Sequence, residues 1–201
     1  MTTVAELPAG FADKVLSAQS TFRSVMDAMA RPGSVQRIVS VAGTPSAMMR
    51  GTAAMALTLF DHDTPVWLDA AMSATADVAN WLKFHTSAPV VADSSIASFA
   101  LVADPENLPA LDRFAFGSNE YPDRSTTLVL QVESLTDGPV VELQGPGIDG
   151  SAALRASIQP RDLFERLSIN AALFPRGIDV VLVHDDSIVA IPRTTRLVRG
   201  G

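Results

Sequence analysis

Segments of helical period alternate with strand-length apolar runs early in the chain, and strands pair at its end. That order constrains the fold more than any single motif. Val15, Ala18, Phe22, Met26 and Met29 recur at three- and four-residue steps, so they share one face of a helix. The helix stops at Arg31-Pro32-Gly33, because proline disfavours helix in the residue before it and glycine supplies a turn. Val35 to Val39 reads as a strand, and Thr44-Pro45 as the cap and first turn of a helix running to about Phe60. A short buried strand follows at Pro65 to Leu68, then a helix capped by Thr75 and ending near Phe84-His85-Thr86. Pro89 to Ala92 and Ala97 to Val102 have strand length, and Pro105 to Arg113 reads as a short helix.

Thr126 to Val132 (TTLVLQV) is a strand by its β-branched and leucine content. Val140 to Leu143 is another, followed by a tight turn at Gly145-Pro146-Gly147, and Leu154 reads as part of a short edge strand. Asp162 opens a helix through Phe164, Leu167 and Ala171 that ends at Phe174-Pro175-Arg176-Gly177. The run IDVVLVHDDSIVAIP places two apolar segments around Asp185-Asp186-Ser187, a β-hairpin. The packing suited to this order is α/β, a mixed β-sheet flanked by helices on both faces. With no internal repeat and no dividing linker, residues 1–201 read as one domain.

Several chemistries are excluded by what the chain lacks. Without cysteine there is no disulfide, thiolate nucleophile or Cys-based metal site. No G-x-x-x-x-G-K-[ST], no G-x-G-x-x-G between strand and helix, no H-E-x-x-H and no G-x-S-x-G occurs. Asp61-His62-Asp63 at a helix end reads as a capping group, and His184 as a solvated residue of the hairpin turn, so no metal is expected. The only lysines are Lys14 and Lys83, neither at a strand end nor in a glycine-rich loop, which disfavours a pyridoxal-phosphate Schiff base. No cofactor is expected.

A net charge of −7 argues against non-specific binding to nucleic acid. MTTVAELPAGF lacks the form of a signal peptide and no apolar stretch approaches the ~20 residues that span a bilayer, so the expectation is a cytoplasmic protein without a membrane segment. Apolar residues make up 47% and charged ones 18%, below the usual ~25%. An oligomer, a docked partner or a large core would each account for that.

Three turns carry an arginine on a rigid corner: Arg31-Pro32-Gly33, Phe174-Pro175-Arg176-Gly177 and Pro192-Arg193-Thr194-Thr195, the last placed after the final strand. A guanidinium suits carboxylate and phosphate recognition, although each could equally bind helix-end carbonyls or a neighbouring carboxylate. Arg31, Arg176 and Arg193, with His85 and Ser125, are the candidate anion-binding positions. Ser125-Thr126-Thr127 opens a strand, where hydroxyls commonly satisfy backbone groups.

Taken in order, FRSVMDAMARPG, LTLFDHDTPVWL, FHTSAP, STTLVLQV, LQGPGI, FPRGIDVV and IPRTTRLV resemble the PhnH family of the bacterial carbon–phosphorus lyase system, which degrades phosphonates. The resemblance implies a fold similar to the large domain of pyridoxal-phosphate-dependent transferases, without that cofactor. It implies a homodimer that joins the G, I and J subunits in a core complex. It also implies a part in the step that couples a phosphonate to the ribose of ATP with loss of adenine, chemistry ascribed to the I component. No catalytic residue carries over. One departure is Ser87, where glycine stands in many relatives; serine fits there only if φ is negative or strain is tolerated.

Overall fold

The computed structural model describes residues 8–39, 41–157, 160 and 162–199. The strands expected from TTLVLQV and from the C-terminal hairpin form its centre: β5 (Thr127–Gln131), β8 (Asp179–His184) and β9 (Ser187–Ile191). With β1 (Gln36–Arg37), β2 (Val66–Leu68), β3 (Val90–Val91) and β4 (Phe99–Val102) they make a seven-stranded sheet ordered β1-β9-β8-β5-β4-β2-β3. From β3 to β8 the pairs are parallel, while β8–β9 and β9–β1 are antiparallel. A second sheet, ordered β10-β6-β7, joins β6 (Val141–Gln144), β7 (Ala152–Leu154) and β10 (Arg196–Arg199). β10 corrects the expectation that the chain's strands end before Pro192-Arg193; its polar, arginine-rich sequence carries no period-2 apolar signal.

Two hydrophobic clusters lie on opposite faces of the large sheet, sorted by the alternation of strand side chains. Val129 of β5 and Val181 and Val183 of β8 face α1 (Lys14–Ala30), α2 (Arg50–Leu59) and α3 (Asp77–Thr86). Leu128, Leu130, Val180 and Leu182 face the other way, onto α4 (Leu163–Ala171) and the inner face of the small sheet, Val141, Leu143 and Leu154. Each of these fully buried side chains contributes about 1.5–3 kcal/mol. The sheet is mixed and covered on both faces as expected, with a second sheet sharing the work of α4. The expected helix at Pro105 to Arg113 resolves into two short 3-10 turns, Pro105–Asn107 and Leu111–Arg113.

α1 spans the expected segment, capped by Asp13, whose carboxylate accepts the Leu16 N–H at 3.0 Å. Its apolar stripe is only partly on the core side: Ala18 and Met29 are half-buried against the core, but the fully buried face is another. Thr21, Val25 and Ala28 are buried, whereas Val15, Phe22 and Met26 are 65%, 48% and 52% exposed.

α2 begins at Arg50, five residues later than Thr44-Pro45 suggested. The Thr44 hydroxyl instead donates to Met48 O, and Pro45 O accepts the Met48 N–H, which closes a turn rather than a helix. The cap comes from across the sheet. Gln131 Oε1 accepts from the Met49 N–H (2.6 Å) and the Thr52 hydroxyl (3.0 Å), while its Nε2 donates to Ala47 O. Asp61 beyond α2 folds into a local turn, accepting from the Asp63 N–H and the Thr64 hydroxyl; these bonds, Thr64's first, hold its carboxyl below the usual range. His184 is the last residue of β8, not a turn residue, and its Nδ1 lies 3.0 Å from Val132 O.

Ser87 closes α3 in the left-handed region, φ 63°, with its N–H donating to Lys83 O at 3.1 Å. The strain considered for this serine is therefore present and tolerated, in the conformation that favours glycine by about 1–2 kcal/mol. Ser87→Gly is expected to stabilise the protein by about 1 kcal/mol, read in thermal unfolding as a rise of roughly 2–4 °C. An unchanged or lowered midpoint would contradict that cap geometry.

Candidate functional site

The five nominated anion-binding residues do not form one site. Arg193 and Ser125 meet, but around protein groups. The Arg193 Nε donates to Asp179 Oδ1 (3.1 Å), Nη1 to Pro122 O (2.8 Å) and Pro175 O (3.4 Å), and Nη2 to Ser125 Oγ and Asp179 Oδ2 (2.5 Å each). Its backbone N–H also donates to Asp179 Oδ1, and both side chains of the ion pair are only 14% exposed. A guanidinium has five N–H donors, and all five are engaged. This is a clamp joining the end of β9 to the starts of β5 and β8, with nothing left to offer an anion. Thr126 behaves as its position suggested, donating to Ala97 O and accepting from the Ala115 N–H.

The other candidates stand apart from it. Arg31 pairs with Asp27 one helical turn back, at 3.2 Å and largely exposed. Arg176 is exposed. His85 packs on Trp81 with ring centroids 4.6 Å apart, and its Nε2 lies 3.1 Å from Pro8 O. Trp81 Nε1 donates to the same carbonyl at 3.0 Å, so His85 helps to pin the segment before α1.

The turns themselves do converge, through their glycines rather than their arginines. Gly147 lies against Ala30 O and Pro32, Gly145 against Thr194 O, and Gly177 against Asn170 and the Arg193 side chain. The expected tight turn is present, with the Ile148 N–H donating to Gly145 O. Beside it opens a cleft of about 560 Å³ between the small sheet and the end of α4. Gln144 and Arg196, directly opposite in the β6–β10 ladder, line it with Thr194 and the exposed Phe174. No acidic residue lines this cleft among the described residues, and Arg196, exposed, forms no ion pair with any of them. Sequence reasoning missed Arg196 because it lies outside the three proline- or glycine-bearing corners and nothing in the sequence shows that the fold consumes Arg193.

Open parallel sheets usually bind ligands at the carboxyl ends of their strands, where the strand order reverses. Here that place is β2 beside β4. Asp69, directly after β2 and 6% exposed, accepts the N–H groups of Met72, Ala103 and Asp104, each at 2.8 Å. The carboxylate thereby fixes the loop leaving β4 and is fully occupied by backbone. The adjoining crevice of about 280 Å³ is lined by Met49, Asp104, Glu106, Gln131, Glu133 and Ser157 among others. Three carboxylates with no cation among the described lining residues repel an anion. No group of three or more His, Asp or Glu side chains able to hold a metal ion is present among the described residues. None of the described helices is long and apolar enough to cross a membrane.

Comparison with known proteins gives one family. The model of the family described as "Bacterial phosphonate metabolism protein (PhnH)" matches residues 9–198. The chain is similar to alpha-D-ribose 1-methylphosphonate 5-triphosphate synthase subunit PhnH of Rhizobium meliloti, 42% identical over 99% of this chain and 100% of the relative. It is also similar to the candidate C-P lyase subunit protein HtxG of Stutzerimonas stutzeri, 32% identical over 98% of this chain and 95% of the relative.

Proposed function

The chain belongs to the bacterial phosphonate metabolism protein family, and on that membership we propose that it is an accessory subunit of an alpha-D-ribose 1-methylphosphonate 5-triphosphate synthase. In this reading it takes part in joining a phosphonate to the ribose of ATP with loss of adenine. It acts in the cytoplasm as one domain and as a homodimer, with the G, I and J subunits as partners. Its fold is that of the large domain of pyridoxal-phosphate-dependent transferases without the cofactor. The observation that carries the proposal is the end-to-end match at 42% identity to a relative named as such a subunit. The engagement of Arg193 by Asp179, Ser125 and two carbonyls supports an accessory role, because it takes the most convergent of the nominated cations out of any chemistry. Co-expression of the tagged chain with the other subunits, followed by native mass measurement, is expected to give one complex of defined stoichiometry. A chain that purifies alone overturns the proposal.

A second reading, binding of a small anion such as nucleotide or phosphonate, draws its support from the cleft at Arg196, Thr194 and Gln144 rather than from the three arginine corners. Calorimetry with ATP and with methylphosphonate tests it. Heat that disappears in Arg196→Ala supports this reading, and no heat with either ligand ends it.

A further inference from the structure

α1 carries two faces that follow different rules. The face on the sheet is small and partly polar, Thr21, Val25 and Ala28, which lets the helix lie close to β9. The large apolar side chains, Val15, Phe22 and Met26, point away from the core at 48–65% exposure. A helix that puts its bulkiest apolar residues in water along one stripe is presenting a surface.

The stripe continues into its neighbours. Phe22 and Ala18 share a groove of about 370 Å³ with Gln19, Arg23 and Thr58 of α2. Leu57, beside Thr58, and the His85 ring both lie against Gly10, just before α1. Next to His85, Phe84 is 70% exposed. The outer side of the α1–α2–α3 layer is thus an apolar band from Met26 to Phe84.

Its margin is basic in an acidic protein. Lys14 adjoins Val15, Arg23 lines the groove and Lys83 adjoins Phe84, and all three are exposed. These include both lysines of a chain with net charge −7. Among the described residues the carboxylates flanking α1 are engaged: Asp13 caps α1 and Asp27 pairs with Arg31. Asp61 and Asp63, beyond the end of α2, are held in a local turn and beside His62 respectively.

We propose that this band is the surface through which the chain docks a different subunit, one presenting an apolar ridge edged by carboxylates. The proposal rests on the subunit reading above. Charge selects the occupant: a second copy using the same band would set Lys14, Arg23 and Lys83 against their own kind, whereas an acid-edged partner is steered in and held.

The test uses the full-length chain co-expressed with the other synthase subunits, in wild-type form and as Phe22→Glu, Met26→Glu and the charge reversal Arg23→Glu. All three positions are exposed, so native thermal midpoints and helical circular dichroism are expected. Phe22→Glu and Met26→Glu are expected to weaken the complex at least about tenfold. Arg23→Glu is expected to slow association several-fold, with a smaller dependence on salt than wild type. A wild-type complex that all three folded variants leave unchanged overturns the surface and leaves the subunit reading standing. A wild-type chain that forms no complex overturns the subunit reading and the surface with it. Self-association that Phe22→Glu abolishes assigns the band to a second copy and overturns the choice of partner.

Discussion

Replacing Arg193 with alanine is expected to destabilise the fold by about 3–5 kcal/mol, because it strands Asp179 as an unpaired carboxylate in a largely buried site. The loss exceeds that of an ordinary ion pair since the guanidinium also binds Ser125 Oγ and the carbonyls of Pro122 and Pro175. Arg193→Lys is expected to recover little, for an ammonium has three donors at one point and cannot reach five acceptors spread around a planar fork. Urea unfolding with the midpoint read at constant slope measures both effects. Arg196→Ala, at the exposed arginine of the neighbouring cleft, is the control and is expected to stay within about 0.5 kcal/mol. A change at Arg193 as small as that control would mean that the clamp contributes nothing beyond a surface pair.

The second large effect belongs to Gly147. At φ +83° it occupies a conformation that costs other residues about 1–2 kcal/mol, and a Cβ there would overlap the Ala30 carbonyl at the end of α1. Overpacking against backbone adds about 1–3 kcal/mol, so Gly147→Ala is expected to cost roughly 3 kcal/mol or more. Gly150 separates the two causes. Its φ is +70° with nothing within 4 Å, so Gly150→Ala is expected to show the conformational part alone. Equal losses at the two glycines would remove the contact with α1 from the explanation.

The sequence announced most of the large sheet, because strands buried on both faces must be written in Val, Leu and Ile whatever surrounds them. TTLVLQV and the hairpin after Gly177 are legible for that reason. β10 was not, since Arg196-Leu197-Val198-Arg199 has neither the length nor the alternation of a buried strand. The start of α2 was misplaced for a different reason: its cap, Gln131, lies on another strand, and a local scan rewards Thr44, which caps nothing. The α1 spacing identified the stripe but could not tell which side of the helix the sheet would take. Of the candidate site, the arginine-bearing turns were legible as turns but their placement in space was not, and the engagement of Arg193 depends on Asp179, a partner fixed only by the fold.

The pairing of β1 with β9 carries a consequence for the order in which the molecule can be made. Gln36 and Arg37 stand opposite Ile188 and Ser187 in the antiparallel ladder, and the buried face of α1 rests on β9. During synthesis the first helix therefore emerges long before the strand that seats it, and β8 waits equally for the last hairpin. Contacts this distant in sequence close slowly. Until β9 has been made, Val25 and Ala28 are as uncovered as Phe22 and Met26, and both sides of α1 are open to a chaperone. A chain halted before Ser187 would have a mobile α1. By the same logic, the partner-facing stripe becomes rigid only once β9 is in place, so docking through it would report a closed sheet.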